Sequence, residues 1–290
     1  MENDIKLLVC CHKPFVVPKS ELYLPIHVGS SVSEINLGIQ MDNSIDGKEC
    51  ENISSLNAFY CEMTAMYWAW KHVREIYPNI RYVGLCHYRR YFRTTTDYIK
   101  DYFINIKAKT KIILKLVFGS VVETTCIDYF LTIKSLSDER FLNDQEILRK
   151  LIVDNDILYT KPVVYMNCNV SEGFSIIGNK YLSLLNDIIV SEYKEYADAF
   201  NKVMKGKELP AANMIILKID YLDEYASFVF DVLNKHVIKL KNEGILCAPL
   251  DEGIYNRVPG YLSELLTATY IYHKKGKVKT KELGKFFLEI

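Results

Sequence analysis

Short apolar runs that stop at polar or proline residues, with helical patterns between them, constrain the fold of this chain more than any other feature. The first, Ile5 to Cys11, breaks off at His12-Lys13-Pro14. Arg81 to Cys86 (RYVGLC) runs straight into His87-Tyr88-Arg89-Arg90-Tyr91-Phe92-Arg93, and Asp156 to Tyr159 ends near Lys161-Pro162. Asn213 to Ile219 (NMIILKI) leads into a long amphipathic stretch, and Val163 to Cys168 reads as a further strand. Runs of this length between breakers are the mark of buried strands. Leu56, Phe59, Tyr60, Met63, Tyr67, Trp70 and Val73 recur at spacings of three and four, which predicts one helix face, with Asn52, Ser54 and Ser55 as cap candidates. Asn143 to Leu151, Tyr181 to Met204 with a break near Ser191, Leu222 to Leu240, and Gly260 to Tyr270 supply the other helices. The stretch through Pro25, Gly29 and Ser30-Ser31 reads as a loop. Strands alternating with helices predict an α/β sheet in one domain over residues 1–290, with 94–137 as an excursion from it.

Composition narrows the function classes. Of 290 residues, 49% are hydrophobic and 25% charged, values that exclude a wholly disordered chain. Thirty-six basic side chains balance thirty-six acidic ones, so no strongly basic face for nucleic acid is implied. The 21 tyrosines combine flat apolar faces with polar tips, which suits sugar contacts and half-buried cores alike. Eight cysteines form no CxxC pair, and most sit in apolar runs as free thiols, so a zinc site has no support. The acidic start Met1-Glu2-Asn3-Asp4 does not resemble a secretory signal, and no stretch approaches the roughly 20 apolar residues that span a bilayer. A reduced, cytoplasmic protein is the expectation.

The densest chemical feature is HYRRYF directly after a buried strand. His87, Tyr88, Arg89 and Arg90 in that position form a candidate diphosphate clamp, because guanidinium groups grip phosphate oxygens in fixed geometry. An exposed basic turn is the alternative. His12 and Lys13 end another strand, where ligands of open α/β sheets bind. The Asp42-Asn43 turn leads to Asn52 and a helix start near Asn57, a pattern that can fix sugar hydroxyls or simply cap a helix. Glu62, Trp68 and His72 fall away from the centre of the apolar stripe. Among the acids, Asp251 and Glu252 share a loop, and Glu264 begins an apolar helix, where it is either an acid/base group or a dipole-compensating one. No catalytic triad, HExxH, Walker loop or dinucleotide fingerprint is present.

HKPF, LPIHVG, ENISSLNAFYCEMTAMYWAWKH, GLCHYRRYF, NMIILKIDYLDEY and RVPGYLSELL follow one another in this order. Together they resemble an uncharacterised-domain family found in bacterial capsular-polysaccharide and exopolysaccharide glycosyltransferases, from about Ile5 to Tyr272. The resemblance implies a GT-A-like nucleotide-binding domain with a mainly parallel central sheet and helical additions. It also implies transfer of a sugar, galactose or galactofuranose, from a UDP-linked donor to a growing surface or lipopolysaccharide-type glycan. Its partners would be the nucleotide sugar and a lipid-linked saccharide acceptor at the inner face of the membrane, with no nucleic acid. Glu264, Asp251 and His87 are then the catalytic candidates. His12, Lys13, Asp42, Asn43, Asn52, Asn57, Tyr88, Arg89, Arg90 and Asn213 are the donor-binding ones. Many GT-A strands end in Asp-x-Asp on a divalent metal, whereas RYVGLC ends in His87-Tyr88-Arg89, so arginine charge takes over part of that role and the metal is left open. The terminal motif departs from the family at Leu265, where an arginine is usual, and MDNSIDGKECENIS is longer than the family's turn. A nucleotidyl- or phosphosugar-handling enzyme and a non-catalytic saccharide-binding module are the competing readings. Lys100, Lys107, Lys109, Lys111 and Lys115 beside the apolar Ile112 to Val122 run suit either a membrane-surface segment or a packed subdomain.

Overall fold

A computed structural model describes residues 4–94, 106, 110, 126–243 and 257–289. Strand β1 (Ile5–Cys11) is buried along its whole length and is followed by β2 (Tyr23–His27) and the two-residue β3 (Gln40–Met41). A hairpin of β4 (Ser44–Ile45) and β5 (Lys48–Glu49) precedes a short helix α1 (Asn57–Tyr60) and the longer α2 (Met63–Ile76). Strands β6 (Tyr82–His87) and β7 (Arg90–Arg93) carry the HYRRYF motif. Next come β8 (Cys126–Ile127), β9 (Leu131–Ile133), α3 (Glu139–Val153), β10 (Ile157–Thr160) and β11 (Val163–Tyr165). Helices α4 (Val170–Phe174), α5 (Asn179–Glu192) and α6 (Lys194–Lys205) lead to β12 (Glu208–Leu209) and β13 (Ile215–Lys218). The chain ends in α7 (Leu222–Asn242), α8 (Val258–Lys274) and β14 (Thr280–Leu288).

The large sheet runs β13-β10-β14-β7-β6-β1-β2-β3, with β9 added beside β14. It is mixed, which corrects the mainly parallel expectation. β1 is parallel to both β2 and β6, and β14 is parallel to β10 and β9. β6–β7, β6–β13, β10–β13 and β7–β14 are antiparallel. The reason is local at β6, where a two-residue turn of Tyr88 and Arg89 sends the chain straight back, and parallel neighbours cannot be joined so tightly. β2 corrects the loop expectation. Its Pro25 is tolerated because β3 covers only Ile26 and His27, so the strand is otherwise an edge.

Side chains alternate across β1. Leu8 and Cys10 join Trp68, Val83, Leu85 and Leu217 in the core beneath α2, α5, α6, α7 and α8. Leu7, Val9 and Cys11 join Cys86, Ile216 and Phe141 on the opposite face, which α3 covers. The period of two is what a strand buried on both faces requires. The expected single helix over the Leu56–Val73 stripe is broken at Cys61, whose φ of 52° and ψ of −130° end α1 before α2 begins. The described end of the 94–137 excursion is built into the fold, with β8 on β11 and β9 on β14. Among the described residues no helix is long and apolar enough to cross a membrane.

Gly84 sits where β1 and β13 flank β6. A Cβ there would lie 2.6 Å from Leu7 Cδ2, 2.9 Å from Ile216 Cγ1 and 3.1 Å from the Ile215 carbonyl oxygen. Gly84→Ala should therefore lower stability by about 1–3 kcal/mol, the range for overpacking a tight core. Urea unfolding would read this as a lower midpoint at an unchanged slope.

Candidate functional site

A cavity of about 710 Å³ opens where the adjacent parallel strands β1 and β6 end. The volume suits a small ligand. Cys10 and His12 come from the end of β1, and His87, Tyr88, Arg89 and Arg90 from the β6–β7 turn. Asn57, Ala58, Cys61 and Glu62 enter from the break between α1 and α2. Ala211 and Ala212 precede β13, and Arg257, Tyr261 and Glu264 stand on or beside the first turns of α8. Asp128 and Lys285 close the rim. Gly260 lets α8 approach α1, because a Cβ there would sit 2.8 Å from Cys61 Sγ.

Positive charge gathers on the cavity wall. The Arg89 guanidinium lies 5.6 Å from the Tyr88 ring centre and 5.4 Å from that of Phe287, a setting that holds its plane. Among the described residues neither Arg89 nor Arg90 enters an ion pair. Arg257 Nε donates to Cys61 Sγ at 3.2 Å, while Lys285 is paired with Asp128. His12 is held below the ordinary histidine range by desolvation first, then by the charges of Lys13, Arg257 and Arg89. An anion would relieve that field.

Carboxylates and strained backbone share the same wall. Glu264 Oε2 accepts the Ala212 N–H at 2.8 Å, and His87 Nε2 lies 2.8 Å from the Ala212 carbonyl oxygen. Glu62 Oε1 accepts from Asn213 Nδ2 at 2.8 Å. The fully buried Asn213 amide also donates to Ser263 Oγ at 2.8 Å and accepts from Thr267 Oγ1 at 2.9 Å. Ala212 has a φ of 64° and Asn213 a φ of 52°, so with Cys61 three non-glycine residues of positive φ lie on or directly behind the cavity wall. Such residues persist only where their surroundings over-determine them. Burial first, and the neighbouring Glu62 charge second, push the Glu264 carboxyl up to about 7, against the pull of the Ala212 N–H, Arg90 and Lys285. A carboxyl near neutrality suits proton transfer.

The structure brings together His12, Asn57, His87, Tyr88, Arg89, Arg90 and Glu264 on the cavity wall. Asn57 spends its amide on the Cys61 carbonyl and Thr64 Oγ1, which steadies the α1–α2 break. Asn213 stands behind the wall and reaches Glu62 through it. Lys13 turns into a neighbouring recess with Phe15 and Val17.

Asp42, Asn43 and Asn52 do not line the cavity. Asp42 is fully buried. Its Oδ2 accepts from Gly29 N at 2.8 Å, and its Oδ1 from Ser30 N at 3.1 Å and Ser54 Oγ at 2.5 Å. Ser30 Oγ lies between Asp42 Oδ1 at 2.7 Å and Asn43 Oδ1 at 2.8 Å. Asn52 closes its own turn on Ser54 N and the Cys50 carbonyl. These groups fasten the loop after β2 to the segment before α1. Asp251 and Glu252 lie outside the described residues. Sequence reasoning missed Cys61, Asp128, Arg257, Tyr261 and Lys285 as cavity residues. Arg257 opens the quoted RVPGYLSELL, and Glu62 was visible only as a group off the apolar stripe. Nothing local marks Asp128 or Lys285. Among the described residues no group of three or more His, Cys, Asp or Glu side chains could hold a metal ion.

The sequence model of a family described as a domain of unknown function, DUF4422, matches residues 6–275. No curated protein matches the chain. A solved apo structure of the WbbM bifunctional glycosyltransferase has a similar fold, with a TM-score of 0.75 at 22% sequence identity. The similarity covers 99% of this chain and 46% of that one, so this chain spans about half the length of that protein.

Asp42→Ala should strand buried N–H and O–H donors. Its expected effect is a loss of about 3 kcal/mol in urea unfolding, since each unsatisfied buried group costs roughly 1–3 kcal/mol. Asp42→Asn, which keeps an acceptor oxygen, should lose less.

Proposed function

We propose that this chain, which belongs to the DUF4422 family, is a glycosyltransferase that moves a sugar from a UDP-linked donor to a hydroxyl of a saccharide acceptor. One observation carries the reading. A single cavity at the ends of two parallel strands joins arginines without ion-pair partners among the described residues to a carboxyl poised near pH 7. The fold shared with a bifunctional glycosyltransferase supports it. The motif resemblance favours galactose or galactofuranose as the sugar and a lipid-linked bacterial surface glycan as the acceptor, met at the inner membrane face.

In this mechanism Arg89 and Arg90 hold the donor diphosphate, with Arg257 adding positive field. The acceptor oxygen attacks the anomeric carbon while its proton passes to the Glu264 carboxylate. As the new carbon–oxygen bond forms, the bond from the anomeric carbon to the diphosphate oxygen breaks. Its electron pair leaves on the nucleoside diphosphate, where the arginines stabilise the growing negative charge. Glu62 raises the basicity of Glu264 through its own charge. Ala212 N–H keeps one Glu264 oxygen fixed and leaves the other for the acceptor.

Glu264→Gln should preserve UDP binding and lower transfer by about 10²–10⁴-fold, the usual contribution of a general base. In the parent chain kcat/KM should rise with pH through about 7, and Glu264→Gln should lose that limb. The linked stability runs the other way. Because folding favours the protonated carboxyl, the stabilisation is complete below about 4.5 and is lost as pH rises through about 7. Transfer at the parental rate in Glu264→Gln would assign the residue a purely structural role.

Replacement of Arg89 or Arg90 by Ala should weaken UDP binding at least tenfold, since one charge-assisted contact contributes about 1.5–3 kcal/mol. Lys should restore only part, because it lacks the guanidinium fork. Unchanged UDP affinity in both Ala variants, measured by calorimetry, would remove the clamp.

A further inference from the structure

A second groove, of about 730 Å³, lies across the α1 segment from the cavity. No residue lines both, but one stretch of chain serves both: Ile53, Leu56 and Tyr60 face the groove, while Asn57, Ala58 and Cys61 face the cavity. The two are separated by that single turn of chain, and a helix with its side chains is about 10 Å thick.

One part of the groove is aromatic. Trp70 and Phe230 stack with rings 4° from parallel and centres 5.9 Å apart, and Tyr67 meets both edge-on. Their polar tips are occupied: Trp70 Nε1 donates to Asp223 at 3.1 Å and Tyr67 Oη to Glu51 at 2.7 Å. The remaining part is polar. Glu224, Ser227, Asp231 and Asn234 follow one another along α7 at spacings of three and four, which places them on one helix face. The charges of this face are already balanced, Glu224 by Lys274 at 2.6 Å and Asp231 by Lys235 at 3.0 Å. A groove with aromatic side chains and a row of hydroxyl, amide and carboxylate groups, in which the lining carboxylates Glu224 and Asp231 are ion-paired and Glu195 is exposed to solvent, fits a neutral polyhydroxylated ligand. It does not call for a cation or an anion.

We infer that this groove binds the outer residues of a neutral oligosaccharide, whose reducing or growing end reaches over the α1 segment into the cavity. As the acceptor's outer subsite it rests on the transferase reading, whereas saccharide binding itself is measured without transfer.

The chain has two tryptophans, and Trp68 is fully buried, so a ligand-dependent change in intrinsic fluorescence reports on Trp70. Neutral tetrasaccharides of α- and β-linked galactose and glucose would be titrated to millimolar concentration against the full chain and against Ser227→Arg. Ser227 is exposed on α7 and arginine is a good helix former, so this variant blocks the groove without disturbing the core. At least one tetrasaccharide should give a saturable change, weakened at least tenfold in Ser227→Arg, with UDP affinity equal in both chains. No saturable change with any tetrasaccharide, or equal titration of both chains, would overturn the proposal. Saccharide binding that is sensitive to Ser227→Arg in a chain that transfers no sugar would support the groove and remove the transferase reading instead.

Discussion

The hydrogen bond from the Ala212 N–H to Glu264 is the contact on which the rest of the site depends. Ala212 stands in left-handed backbone, which an alanine adopts only when held there, and Asn213 follows it in the same region. Three interactions hold this turn: the Glu264 carboxyl on Ala212 N, His87 on the Ala212 carbonyl, and Glu62 on the Asn213 amide. They come from α8, the end of β6 and the start of α2. The turn thus ties together the elements that surround the cavity, and its strain is offset by groups that also have chemical uses.

This arrangement explains why two carboxylates tolerate one another at a cavity wall. Each accepts a hydrogen bond from the same short segment, Glu264 from the Ala212 backbone N–H and Glu62 from the buried Asn213 side-chain amide. Burial, and after it the Glu62 charge, raise Glu264 toward neutrality, while the Ala212 N–H, Arg90 and Lys285 limit the rise. Behind the wall, Asn213 extends the network through Thr267 to the buried Tyr225 hydroxyl, 2.8 Å from Thr267 Oγ1. Such a satisfied buried network resists rearrangement because any single lost partner leaves a desolvated polar group.

Much of the site was legible because strand ends announce themselves. His12 and the His87–Arg90 turn follow apolar runs that stop abruptly, and the structure places both beside the cavity. Glu264 stood out as a charge at the head of an apolar helix. The remainder depends on pairings that no local pattern encodes. Glu62 finds Asn213 across 151 positions of sequence. Lys285 reaches the rim only because β14, a Lys- and Glu-containing strand without a clear apolar run, inserts between β7 and β10. The break at Cys61 was hidden for a related reason: the apolar stripe continues across it, while the close neighbour of Cys61 is Gly260, far away in sequence. Asp42 shows how a turn's residue types leave its partners open. Its turn carries the residue types of a sugar site, but its oxygens are consumed by Gly29, Ser30 and Ser54.

The central claim is that the donor diphosphate and the reacting sugar carbon meet within this one cavity. A crystal structure of the chain with a non-transferable UDP-sugar analogue tests it most directly. Diphosphate oxygens are expected within hydrogen-bonding distance of Arg89 and Arg90, with the anomeric carbon facing the free oxygen of Glu264. A nucleotide bound elsewhere, or a sugar turned away from Glu264 with its diphosphate clear of both arginines, would contradict it.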